Sequence, residues 1–279
     1  MVSIAYCQPD ADYRRELGEN QSHLKHILIS PAHYKASKAK RFPVTVNMEI
    51  GSAVHCLTLE GKKEFDSRFL LKPDGINFTT KEGKEFKAEN KHKTILAKQD
   101  YENVVGMADS LGQLDWFDQS QTDYRKFNEL SIYWDVDTIP CKGRLDRLVD
   151  MGDYVNVLDL KSTDSVDPDT FGKKVTGGMN YLFQAAWYAE AASMAFNKPA
   201  KFTFIGIERT PPWTVAIFEI SEEMMLEGQQ QIGQARRILK DCIRSKTWPR
   251  PQVTYNVLEL PRWYRSPLGS EVYTEKDLF

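Results

Sequence analysis

No stretch of this 279-residue chain approaches the ~20 consecutive apolar residues of a membrane-spanning helix, which excludes a helical membrane protein. The opening "MVSIAYCQPDADYRREL" has no basic segment followed by an apolar one, so no secretory leader is read there and a cytoplasmic protein is expected. Cysteine is scarce. The four present, Cys7, Cys56, Cys141 and Cys242, are scattered without any CxxC pair, which argues against a zinc site or a disulfide framework and leaves buried free thiols as the reading. An excess of positive charge is also missing: 37 Lys and Arg against 39 Asp and Glu give a net charge of −2, excluding a uniformly basic nucleic-acid coat but not a local basic groove. Internal repeats and linkers rich enough to divide the chain are absent, so residues 1–279 read as a single α/β domain.

What is there begins with helical patterning over residues 11–61, in pieces broken at Pro31 and Pro43. Within "NMEIGSAVHCLTLE" (47–60), Ile50, Val54 and Leu57 have the spacing of one helix face, while Gly51 and His55 share another. A glycine inside a helix is tolerated where a backbone or ligand comes close. Residues 72–93 are polar and lysine-rich and read as an exposed loop, followed by a helix over about 94–113. "ELSIYWD" (129–135) alternates with a period of two, as a strand does. Residues 164–180 read as a long loop, "YLFQAAWYAEAASMAF" (181–196) as a helix, and "KFTFIGIER" and "WTVAIFEI" as two strands around Pro211 and Pro212. A last helix capped by Ser221 runs to about Arg244, with Ile232, Ala235, Leu239 and Cys242 on one face.

The informative stretch is "CKGRLDRLVDMGDYVNVLDLKST" (141–163), two strand-like segments joined by "MGDY". Gly152 suits the first central position of a two-residue type II′ turn. That turn pairs Met151 with Tyr154 and sets Asp146 directly opposite Asp159, with Lys161 on the face of Asp159. Directly opposed Cβ atoms lie about 4.5–5.5 Å apart, and like charges there destabilise a sheet. Such a pair calls for a shared proton or a cation. Mg²⁺ suits it, taking carboxylate oxygens while sharing its shell with phosphate. A surface hairpin with solvated charges would carry the same residues.

Further motifs join this one: "GSAVH" before it and "QAAWY" after it, where Gln184 and Tyr188 stand at i and i+4 on a helix. Together with "ELSIYWD" and "LPRW" (260–263), the order resembles the RecE-type (exonuclease VIII-like) branch of the PD-(D/E)XK nuclease superfamily over roughly residues 20–265. The resemblance implies a restriction-endonuclease-like fold, a mixed central sheet flanked by helices. Its catalytic core would span about 47–245 and its helical N-terminal portion about 11–46. It implies Asp146 and Asp159 as metal ligands together with the Leu160 carbonyl, and His55 at a second metal position or the phosphate. Lys161 would orient the attacking water, Gln184 and Tyr188 would buttress the site or touch DNA, and Glu129 would be an outer carboxylate. The implied cofactor is Mg²⁺, with Mn²⁺ as substitute.

The implied activity is 5′→3′ digestion of linear double-stranded DNA from its ends, leaving 3′ single-stranded tails. The implied partners are a RecT-like single-strand annealing protein and further copies in a ring-shaped trimer or tetramer, in a bacterial or prophage setting. Three alternatives stay open: an endonuclease of the same superfamily, a non-catalytic DNA-binding module, and a structural Ca²⁺ hairpin, which would leave Lys161 unexplained. A branch with an iron–sulfur cluster needs several clustered cysteines where only Cys242 lies. "HYKASKAKR" (33–41) and the lysines of "TTKEGK" (79–84), with Lys87, read as solvated faces, although "TTKEGK" resembles a loop of that branch.

Overall fold

In the computed structural model, which describes residues 1–39, 44–115 and 124–260, alternating strands build a mixed six-stranded sheet with helices on both faces. The chain enters through β1 (Val2–Ala5), α1 (Asp10–Arg15) and α2 (Gln21–Leu24), passes a 3₁₀ turn (Lys25–Leu28) and α3 (Pro31–Ala39), and reaches α4 (Val46–His55). A π turn (Cys56–Glu60) leads to α5 (Lys62–Arg68), β2 (Phe69–Leu71), α6 (Lys81–Glu89), β3 (Thr94–Leu96) and α7 (Lys98–Gly112). Then come β4 (Arg125–Val136), β5 (Ile139–Asp150), β6 (Val155–Thr163), α8 (Pro168–Thr176) and α9 (Tyr181–Phe196). The order closes with β7 (Ala200–Glu208), β8 (Val215–Glu219) and α10 (Glu222–Ser245).

The strand order is β1–β4–β5–β6–β7–β8. Among the described strands of this sheet, β6 and β7 are the pair that runs parallel, and α8 and α9 form the crossover that such a pair needs. β5 and β6 make the hairpin of the "MGDY" turn, with Gly152 at φ +88° and the Met151 N–H donating to the Tyr154 carbonyl at 2.9 Å. Each face of the sheet carries its own core. On one, α9 packs Phe183 and Trp187 against Leu130, Trp134, Val157 and Phe204, with Ile232 and Leu239 of α10 behind it. On the other, Val54 of α4 and Val104 and Met107 of α7 cover Leu158, Leu160, Ile205 and Ile207.

Several elements differ from what the sequence alone predicts. The stretch 72–93 contains α6, whose first turn is capped where the Thr80 side chain accepts from the Gly83 N–H; its polarity marks exposure, not absence of a helix. The loop 164–180 contains α8, with Asp167 as cap, Pro168 at the first position, and Phe171 and Val175 one turn apart in the core. Residues 94–96 form a short strand parallel to β2. β1, which adds to the sheet edge beside β4, carries too short a pattern to be read. The break expected at Pro31 is present: the 3₁₀ turn ends at Leu28 and Pro31 opens α3. Cys56, Cys141 and Cys242 are buried thiols as expected, but Cys7 is exposed. Pro43, Lys40, Arg41 and most of "LPRW" lie outside the described residues.

Candidate active site

The β5–β6 ladder pairs Asp150 with Val155 down to Arg147 with Leu158, and there it stops. The next row would set Asp146 against Asp159. On β4, Glu129 falls in the same row, between the pairs Asn128–Arg147 and Leu130–Leu145. Three carboxylates on adjacent strands thus meet in one row, an arrangement that like charges resist, and the sheet gives way at that row. Glu129 has φ +47°, a left-handed backbone that non-glycine residues seldom take. The core-facing positions step from Phe127 to Leu130 on β4 and from Leu148 to Leu145 on β5, so both strands slip phase at the row. In place of a ladder bond, the Leu160 N–H donates to Asp146 Oδ2 at 2.8 Å.

α4 closes the opening from one side. At Gly51 the helix comes so near β6 that an added Cβ would lie 3.3 Å from Ser162 Oγ. One turn later, His55 Nε2 lies 2.9 Å from the Leu160 carbonyl oxygen. A carbonyl only accepts, so the proton sits on Nε2 and the Nδ1 lone pair faces Asp146 Oδ2 at 3.5 Å. Two lone-pair atoms held face to face need a proton or a cation between them. Burial, and then the Asp146 charge, raise the Glu129 pKa to about 7. Burial, and then Asp159, lift Asp146 well above the usual carboxylate range, while burial holds the His55 imidazole below its ordinary value. Arg144 Nε donates to Glu129 Oε2 at 2.6 Å and fixes that side chain. Donor atoms of His55, Glu129 and Asp146 all lie within 4.8 Å of one another. A cation fits this set: it would replace the protons that burial now favours, and His55 donates its other N–H to a carbonyl as metal-bound histidines do.

Asp159 and Lys161 project toward α9. Asp159 is 1% exposed; its Oδ1 accepts from Gln184 Nε2 at 2.7 Å and its other oxygen faces Lys161 Nζ. The Lys161 ammonium also rests over the Tyr181 ring, 5.0 Å from its centroid. Burial opposes its charge, but Asp159 and then Asp146 hold its pKa above the ordinary lysine value, so it is cationic.

The expected ligand pair of Asp146 and Asp159 is therefore not what the geometry gathers. Among the described residues the metal-sized group is His55, Glu129 and Asp146, because Gln184 and Lys161 engage Asp159. Glu129 stands inside this group, not at its outside. The Leu160 carbonyl is engaged by His55. Gln184 reaches the site, whereas Tyr188 packs one turn further along α9 against β5 at Gly143, nearly buried, with burial raising its hydroxyl pKa. Arg144 and Tyr181 escaped the sequence reading. Arg144 lies two residues before Asp146 in "GRLDR", and this spacing was the available signal.

Over residues 20–256 the chain matches the family described as a PDDEXK-like domain of unknown function (DUF3799). The chain belongs to that family. The matched range holds the broken row, His55, Lys161 and Gln184, so this PDDEXK-like domain contains the whole site. Its fold is similar to the solved structure of a "Putative exonuclease" from Eubacterium rectale, with a TM-score of 0.57 and 12% identity over 92% of this chain and 96% of that one. Two weaker likenesses carry no argument. One is SSO0001, with a TM-score of 0.30 and 16% identity over 60% of this chain and 71% of that one. The other is VC1899 from Vibrio cholerae, with a TM-score of 0.25 and 9% identity over 88% and 58%. No curated protein matches the chain.

Proposed function

We propose that this PDDEXK-like protein is a divalent-metal-dependent nuclease of RecE type that digests linear double-stranded DNA from its ends, in the 5′→3′ direction. The observation that carries the reading is the juxtaposition of a His55–Glu129–Asp146 donor set, at one broken row of the sheet, with the half-buried Lys161 ammonium beside it. His55, Glu129 and Asp146 would hold Mg²⁺, or Mn²⁺, which the imidazole nitrogen also suits. When bound, such an ion supplies Lewis-acid charge to the phosphoryl oxygens as negative charge develops. Lys161 holds the attacking water in line and keeps its own proton, because Asp159 and Asp146 stabilise the ammonium. Gln184 fixes Asp159, and Asp159 with the Tyr181 ring fixes Lys161. Arg144 keeps Glu129 turned inward.

The fuller account follows the RecE-type resemblance: 3′ single-stranded tails as product, an annealing protein as partner, and a trimeric or tetrameric ring through which duplex DNA threads. No helix among the described residues is long and apolar enough to cross a membrane, and a bacterial or prophage-encoded cytoplasmic enzyme is the setting we propose.

The test is digestion of linear duplex labelled at its 5′ or 3′ end, beside closed circular DNA, with Mg²⁺ or EDTA. Early, Mg²⁺-dependent release of the 5′ label with circles intact is expected. Cut circles would replace this reading with an endonuclease. DNA binding without any cleavage would replace it with a non-catalytic module.

A further inference from the structure

The 3₁₀ turn before α3 carries an ammonium that the account above does not use. Lys25 Nζ donates to the Met179 carbonyl at 2.6 Å. Met179 lies two residues before Tyr181, the ring on which Lys161 rests, so Lys25 stands in the same corner as Lys161. The nearby charge acting on Lys25 is that of Lys161, and burial together with this like charge lowers its pKa. Among the described residues no carboxylate pairs with it, and two of its three N–H donors have no protein partner. His26 beside it is depressed in turn by burial and by the Lys25 charge.

Other half-buried cations of the molecule are matched: Arg144 by Glu129, Arg236 by Glu190, Lys198 by Asp150, and Lys142 by three backbone carbonyls at the end of α1. Lys161 is matched by Asp159, so Lys25 is the ammonium of this corner without a carboxylate among the described residues, and an anion there would offset the like charge that Lys161 presents to it. The corner is open to one, since Lys25 is only partly buried and Met179 is 52% exposed.

We propose that Lys25 binds a backbone phosphate of the DNA strand next to the phosphate being cut, with Lys161 on the other side. This rests on the nuclease reading and adds a substrate-binding residue to it. The ligand chemistry is the non-bridging oxygens of a phosphodiester, taken by the two unused N–H donors. A compact, hydrated ammonium suits a phosphate that must slide onward after each cut.

The test compares wild type with Lys25→Ala and Lys25→Arg on linear duplex, alongside thermal melting as a fold control. Lys25→Ala is expected to raise KM about tenfold, with a larger effect on KM than on kcat, and Lys25→Arg to recover most of it. The slope of log Kd against log salt should fall by about one for Lys25→Ala. A duplex carrying a single neutral methylphosphonate next to the end phosphate should bring wild type and Lys25→Ala to the same KM. An unchanged KM and salt slope in Lys25→Ala, with wild type cleaving normally, would overturn this proposal alone. A penalty that persists undiminished whichever phosphate is neutralised would do the same, by marking Lys25 as a prop for the Met179 loop. A wild type that neither binds nor cleaves duplex DNA with Mg²⁺ would remove the nuclease reading and this proposal together.

Discussion

A buried carboxyl group that keeps its proton near neutral pH is a poor ligand until the proton leaves, and Glu129 and Asp146 are both of this kind. Glu129 has a folded pKa of about 7, above the ~4.3 of an unfolded glutamate. A raised carboxyl pKa contributes stability below the unfolded value, and that contribution is lost as pH rises through the folded one. The metal-free protein should therefore lose stability between about pH 4 and 7, and a cation that binds the ionised groups should restore it. We expect the rise in melting temperature on adding Mn²⁺ or Mg²⁺ to be larger at pH 8 than at pH 6; equal shifts would refute the linkage. Gln184 makes a second test. Removing its amide leaves an oxygen of buried Asp159 unpartnered, so Gln184→Ala should lower kcat at least about tenfold while the cation-induced melting shift persists. Asp146, Asp159, Lys161 and Gln184 were legible because chemistry-bearing residues sat at strand and helix spacings. That Glu129, not Asp159, joins His55 and Asp146 was not legible, because it depends on a phase slip in two strands at once.

α4 lies close to β6 at Gly51, where an added Cβ would stand 3.3 Å from Ser162 Oγ, and the helix interior accepts the glycine propensity cost of about 1 kcal/mol. Gly51→Val should push α4 off Ser162, break the His55 contact with the Leu160 carbonyl, and destabilise the fold by about 1–3 kcal/mol. Urea unfolding and cation titration would measure the two effects; a variant with wild-type stability and cation affinity would refute the close crossing. The position of Gly51 on the His55 face was visible in the sequence, and so was the "MGDY" turn that fixes the β5–β6 register. α6 and α8 were hidden for a common reason. Polar and turn-forming residues dominate their segments; caps at Thr80 and Asp167 start both helices, and the buried face of α8 is just Phe171 and Val175, too few apolar residues to stand out in the sequence.

The sheet separates two cores, and the site lies where the sheet opens between them. α9 supports it by turning both Gln184 and Trp187 onto the sheet, Gln184 to Asp159 and Trp187 into the core. Trp187 is fully buried, lies 5.2 Å from Trp134 between ring centroids, and donates Nε1–H to the Lys142 carbonyl at 3.1 Å. Trp187→Ala should cost about 3–5 kcal/mol in urea unfolding, and a loss under 1 kcal/mol would contradict this packing. The fold class was legible from strand alternation, the Ala-rich helix and the order of motifs. The sheet edge was less so, since four residues of β1 carry too little pattern to be told from a loop. The near-neutral net charge said little about a DNA partner, because what bears on one is local: the clustering of Lys25 and Lys161 in one corner.

The central claim is that one cation site, built by His55, Glu129 and Asp146, serves phosphodiester cleavage beside Lys161. We would measure Mn²⁺ binding by electron paramagnetic resonance, and duplex cleavage in the same buffer, for wild type, Asp146→Asn and Lys161→Gln. The account predicts that Asp146→Asn loses both binding and cleavage, whereas Lys161→Gln keeps binding and loses cleavage by at least about a hundredfold. Wild-type Mn²⁺ binding in Asp146→Asn, or undiminished cleavage in Lys161→Gln, would contradict it.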